Sequence, residues 1–88
     1  MNEGWSYVVT PPAQREMQRI DMSVRRRIFA ALTRLTETGA GDARKLTDRE
    51  GEWRLRVGDY RVIFERDAGR RLLVVLHVLP RGRAYRGG

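Results

Sequence analysis

The 88-residue chain contains no cysteine. Disulfide staples and thiolate metal sites are thereby excluded, and the composition suits a reducing cytoplasm. No apolar run approaches the roughly 20 residues that a membrane-spanning helix needs. The longest, Leu72–Leu79, is interrupted by His77 and has the length of a strand. The N-terminus lacks the basic segment and apolar run of a secretory signal, so a cytoplasmic location is expected. Lysine is nearly absent: Lys45 is the only one, and the other 17 of the 18 basic residues are arginine. Acidic residues number 11, and none follows Asp67. Histidine occurs once, at His77, which excludes a two-histidine acid–base pair. There is no glycine-rich nucleotide loop, no serine nucleophile arrangement and no metal-ligand cluster, so neither cofactor nor metal is expected.

What is present is positive charge. The net charge is +7. Such an excess favours a polyanionic partner: nucleic acid, an anionic surface or an acidic protein. Arginine suits this task, because its planar fork contacts phosphate through two hydrogen bonds. The length fits one small domain spanning residues 1–88. Domains of this size bury a modest share of their surface, so a partner can contribute to stability.

The periodicity implies an α+β fold of order β-α-α-β-β-β. Trp5–Thr10 is rich in β-branched and aromatic residues and reads as a strand. Thr10 is positioned to cap a first helix, with Pro11 and Pro12 at its entry and Ala13, Met17 and Ile20 at helical spacing. After a break at Asp21–Ser23, Ser23 is positioned to cap a second helix. Its stripe is Val24, Ile28, Ala31, Leu32 and Leu35. Gly39 and Gly41 end it. Arg25, Arg26, Arg27 and Arg34 fall on its outer side, as a solvated face. Residues 42–52 show no period and read as a loop. Trp53–Val57 alternates, Gly58-Asp59 is a two-residue turn with glycine where a type II′ hairpin prefers it, and Tyr60–Arg66 returns. A second turn, Asp67–Arg71, leads to Leu72–Leu79, whose continuous apolarity suggests cover on both faces. A helical hairpin on a four-strand, mainly antiparallel sheet follows. The place of the first strand in that sheet is left open.

The hairpin parity divides the residues. Val57 lies opposite Tyr60, Arg56 opposite Arg61, Leu55 opposite Val62 and Arg54 opposite Ile63. Trp53, Leu55, Val57, Tyr60, Val62 and Phe64 therefore share a face without charge, the one expected against the helices. Arg54, Arg56 and Arg61 share the other. Like charges directly across a ladder cost up to ~1 kcal/mol. Either Glu52 or Glu65 relieves this locally, or the arginines form an anion site. The tail adds Arg81, Arg83, Tyr85 and Arg86, an aromatic among arginines, which can stack an unpaired base while holding its backbone. His77, inside an apolar strand, reads as a buried, neutral, hydrogen-bonded histidine; a role as catalytic base is the alternative.

The stretch Lys45-Leu46 with Glu52-Trp53-Arg54-Leu55-Arg56-Val57-Gly58-Asp59-Tyr60-Arg61-Val62-Ile63-Phe64 resembles the central signature of the RelE/ParE toxin superfamily. Val78-Leu79-Pro80-Arg81-Gly82-Arg83-Ala84-Tyr85-Arg86 resembles its C-terminal arginine-to-tyrosine signature, and Thr10-Pro11-Pro12-Ala13 is also similar. The superfamily divides into ribosome-dependent mRNA endonucleases of RelE type and DNA gyrase poisons of ParE type. The resemblance implies the RelE-like fold and, in the RelE-like subgroup, cleavage of mRNA in the ribosomal A site. It places Arg61 at the scissile phosphate, Arg81 as general acid or charge stabiliser, and Tyr85 as the residue that stacks on or orients the substrate. Arg54 and Arg56 fall where RelE proteins often carry lysines. With Lys45, Arg83 and Arg86 they are implied to bind RNA. The implied chemistry is attack by the ribose 2′-hydroxyl on the adjacent phosphate, leaving a cyclic phosphate, without metal. Arginine is a poor base, so proton removal stays unassigned. The implied partners are a cognate acidic antitoxin, mRNA on the ribosome with 16S rRNA contacts, and operator DNA through the toxin–antitoxin complex only; no membrane is involved. A ParE-like gyrase poison and a catalytically inactive toxin acting as co-repressor are the alternatives.

Overall fold

The computed structural model describes residues 4–47 and 51–81. Its elements are β1 (Ser6–Val9), α1 (Pro11–Gln18), α2 (Met22–Thr38), β2 (Ala43–Lys45), β3 (Glu52–Val57), β4 (Tyr60–Asp67) and β5 (Leu72–Pro80). The sheet has five strands in the order β1-β5-β4-β3-β2. Strands β2 to β5 pair antiparallel, and β1 runs parallel to β5, from Ser6 opposite Leu72 to Val9 opposite Val75.

The helices form where their apolar residues recur with a 3.6-residue period, and they place that stripe on one face of the sheet. The core unites Ala13, Met17 and Ile20 with Ile28, Leu32 and Leu35 of α2 and with Leu55, Val62, Phe64, Leu73, Val75 and Val78 of the strands. Trp53, Val57 and Tyr60 pack against it, as the hairpin parity requires. Trp53 stacks on Phe64 with ring centroids 6.3 Å apart. Gly58 has φ +56° while Asp59 has none of the positive φ, the pattern of a type II′ turn.

Five local expectations are corrected. Residues 43–45 are not loop but the edge strand β2, which adds a fifth strand; three residues are too few to show a period. The cap of α2 is Asp21, not Ser23: its carboxylate accepts from the Ser23 N–H and hydroxyl, and these bonds hold its pKa below the usual carboxylate range. Thr10 stands at the N-cap of α1 but makes no side-chain cap bond, donating instead through Oγ1 to the Val75 carbonyl at 2.8 Å. Strand β5 is not covered on both faces, and His77 is exposed rather than buried.

The last correction has a clear physical cause. Ile63 pairs with His77 but Phe64 pairs with Val75, so Leu76 is an extra residue in β5. Simple alternation from buried Val75 would send His77 into the core. The bulge shifts the phase: Val78 is buried at 2% exposure, and Leu76 and His77 both fall on the open side.

Candidate functional site

The open face of the sheet carries the arginines. Arg44 of β2 lies opposite Arg54 of β3, and Arg56 of β3 lies opposite Arg61 of β4, so four guanidiniums are gathered across three neighbouring strands. Asp42 serves one corner of this set, 3.8 Å from Arg54 and 3.9 Å from Arg44. Among the described residues no carboxylate forms an ion pair with Arg56 or Arg61. Glu52 and Glu65 stand opposite one another four positions along the ladder from Arg56 and Arg61. Arg54 is largely enclosed, with its side chain 12% exposed. Burial lowers its guanidinium pKa, Asp42 opposes that shift, and the fields of Arg61, Arg44 and Arg56 lower it further. Mutual repulsion of this kind is relieved by an anion set between the guanidiniums, which a phosphodiester supplies with bidentate geometry.

Arg81 follows the end of β5. Its backbone N–H donates to the Asp59 carbonyl at 2.7 Å, tying it to the β3–β4 turn. Leu79 pairs with Arg61, and two residues further Arg81 falls on the same side by alternation. Arg27 of α2 is not simply a solvated helix residue: a Cβ at Gly58 would lie 3.0 Å from its Nη2, so its guanidinium rests on the same turn. Lys45 is not brought to the arginine face. It pairs with Trp53, whose side belongs to the helices. Arg44, its neighbour, takes that place, and sequence reasoning missed both Arg44 and Asp42 because β2 gave no periodic signal. Arg83, Tyr85 and Arg86 lie outside the described residues.

Beside this face stands a His–Glu pair. His77 Nδ1 is 3.1 Å from Glu16 Oε2 of α1, and the Val78 N–H donates to Glu16 Oε1 at 2.8 Å. Strand β1 ends opposite Val75, so beyond that point the edge of β5 has no strand partner and α1 satisfies it with the Glu16 carboxylate. A cleft of about 460 Å³ opens there, lined by Glu16, Arg19, Ile20, Tyr60, Val78, Leu79 and Pro80. Among the described residues no three His, Asp or Glu side chains cluster as metal ligands would. No helix among them is long and apolar enough to cross a membrane.

The helical hairpin on one face and the arginines on the other define a small basic α+β protein with an open, cationic sheet. The chain belongs to the family described as ParE toxin of the type II toxin–antitoxin system, parDE, whose model matches residues 7–85. It is thus a type II toxin of the RelE/ParE superfamily. Solved relatives share the fold. The RelBE2 toxin–antitoxin complex of Mycobacterium tuberculosis matches with TM-score 0.77 and 21% identity, over 89% of this chain and 99% of that one. The RelE–RelB complex of Pyrococcus horikoshii matches with TM-score 0.76 and 24% identity, over 92% and 99%. The intact RelBE complex of E. coli matches with TM-score 0.75 and 17% identity, over 90% and 99%. No curated protein matches the chain in sequence.

Proposed function

We propose that this toxin is a RelE-type, ribosome-dependent mRNA endonuclease forming one domain over residues 1–88. The observation that carries this reading is the opposed pair Arg56 and Arg61, without a carboxylate partner among the described residues, beside repelled Arg54. A phosphodiester between them would be held before reaction. The same guanidiniums would stabilise the extra charge of the phosphorane formed when the 2′-hydroxyl attacks, which is where preorganised donors act most strongly. Arg61 holds the scissile phosphate and Arg81 stabilises charge from the strand end. Tyr85 stacks on the substrate, and Arg54, Arg56, Arg83 and Arg86 follow the RNA backbone. The ribosome supplies alignment of the message, which a shallow open face lacks. A cognate antitoxin is the partner, in keeping with the toxin–antitoxin complexes that the structural relatives form; the +7 charge favours an acidic antitoxin segment over the basic face, and operator DNA is met through that complex. The setting is cytoplasmic.

Primer extension on mRNA in a translating extract tests this reading. Cuts at A-site codon positions are expected, and naked RNA should be cut far less. A second reading has its own support, because the matching family model is described as ParE. Supercoiling and gyrase-cleavage assays distinguish it: stalled gyrase cleavage complexes with intact mRNA would make the toxin a gyrase poison and contradict the nuclease reading.

A further inference from the structure

We propose that His77 Nε2 accepts the proton of the ribose 2′-hydroxyl, with Glu16 as its positioning residue. This rests on the endonuclease reading and supplies the step that arginines cannot perform, since a guanidinium stays protonated.

Three observations converge on it. The bulge at Leu76 turns His77 out of the core phase and onto the face that carries Arg61. A residue there could have remained apolar and buried, as Leu73 and Val75 are. Bulges that re-aim one side chain are frequent beside active sites. Second, Glu16 is held from two sides, by the Val78 N–H on Oε1 and by the imidazole on Oε2. A carboxylate only accepts, so Nδ1 carries the hydrogen, and in the neutral ring the lone pair is on Nε2. The side chain is 49% exposed, and among the described residues nothing bonds Nε2. Third, the register places it well. His77 pairs with Ile63, and Arg61 pairs with Leu79, so His77 and Arg61 are diagonal neighbours across one ladder. Such neighbours stand about 7–8 Å apart, a span that a phosphate on Arg61 and its attached ribose fill.

The charged groups around the imidazole are Glu16 of α1, at Nδ1, Arg61 and Glu65 on the same side of β4, and Arg54 of β3 beyond Ile63, while Arg19, the C-cap residue of α1, shares the neighbouring cleft with Glu16. β1 brings none. The step balances simply. The 2′-hydroxyl proton passes to Nε2, the O2′–P bond forms and the P–O5′ bond breaks. The departing 5′-oxygen takes a proton from water, and the imidazolium returns its own to the hydroxide left behind. The products are a 2′,3′-cyclic phosphate and a 5′-hydroxyl.

His77 is the only histidine, so its imidazole nitrogens are identified without assignment in two-bond ¹H–¹⁵N spectra of the whole toxin. At mildly alkaline pH the Nδ1–H tautomer should dominate, and Glu16→Gln should shift the ring towards Nε2–H. On translating ribosomes, folded His77→Gln should cleave on the order of 10²–10⁴-fold more slowly than wild type, the usual contribution of a general base. A dominant Nε2–H tautomer in wild type, or wild-type cleavage by folded His77→Gln, overturns the inference while leaving the endonuclease reading intact. If wild type leaves ribosomal mRNA uncut, that reading itself has failed, and this proposal falls with it. Should His77→Gln not fold, Glu16→Gln decides. Slower cleavage together with the tautomer shift supports the pair, and unchanged cleavage with a shifted tautomer refutes it.

Discussion

Ile63 lies on the open face of the sheet and is nevertheless 1% exposed, because Arg54 and His77 flank it across the ladders on either side. Arg54 therefore has two tasks: its stem covers apolar surface, and its head adds charge. The two separate by substitution. Arg54→Met should hold the melting temperature near wild type and weaken RNA binding, whereas Arg54→Ala should also cost about 1 kcal/mol of stability by uncovering Ile63. Equal destabilisation by both in thermal melts would mean that the Asp42 ion pair, not the stem, is what matters. Asp21 offers a pH test. Its folded-state pKa is depressed by the Ser23 bonds, so its contribution is present above the unfolded carboxylate range and is lost as pH falls through the lowered value. Melting of Asp21→Ala should lie below wild type at neutral pH, and the gap should close in strong acid. The arginine parity was legible in the sequence because a two-residue turn admits only one pairing. Asp21 as cap was not, since aspartate and serine two residues apart carry the same local signal.

At the level of elements, the hairpin β3–β4 and both helices follow from period and punctuation, and they formed as those signals require. The departures share one cause: they depend on long-range partners. β2 exists because its residues pair with Arg54 and its neighbours, and an edge strand this short, charged at Arg44 and Lys45, leaves no periodic trace. The bulge exists because β4 and β5 meet with one residue in excess, which no apolar run discloses. Gly58 is a position where the sequence signal and the packing agree. Its φ of +56° disfavours any side chain, and Arg27 occupies the adjoining space. Gly58→Ala should destabilise by about 1–3 kcal/mol, the usual range for a strained backbone residue. Denaturant melts check this. A neutral result would show that Arg27 and the turn rearrange freely.

For the whole molecule, charge and architecture act together. The helices cover one face of the sheet, so the other is left open to present Arg44, Arg54, Arg56 and Arg61 as one patch within a chain of net charge +7. Binding of single-stranded RNA should weaken steeply with salt, and removing one phosphate-contacting arginine should reduce the log–log slope by about 0.7. Arg56→Ala, followed by fluorescence anisotropy across a salt series, reads this directly. An unchanged slope would place the RNA elsewhere. The account stands most directly on Arg61, the arginine beside both Arg56 and the His77 pairing position. The decisive measurement is the cleavage rate of Arg61→Ala on mRNA in translating ribosomes, alongside its melting curve. A folded variant slower by about 10²–10³-fold, the loss typical of one missing charge-stabilising donor, is the predicted result. Cleavage at the wild-type rate by folded Arg61→Ala would contradict the account and reduce the basic face to an electrostatic footprint.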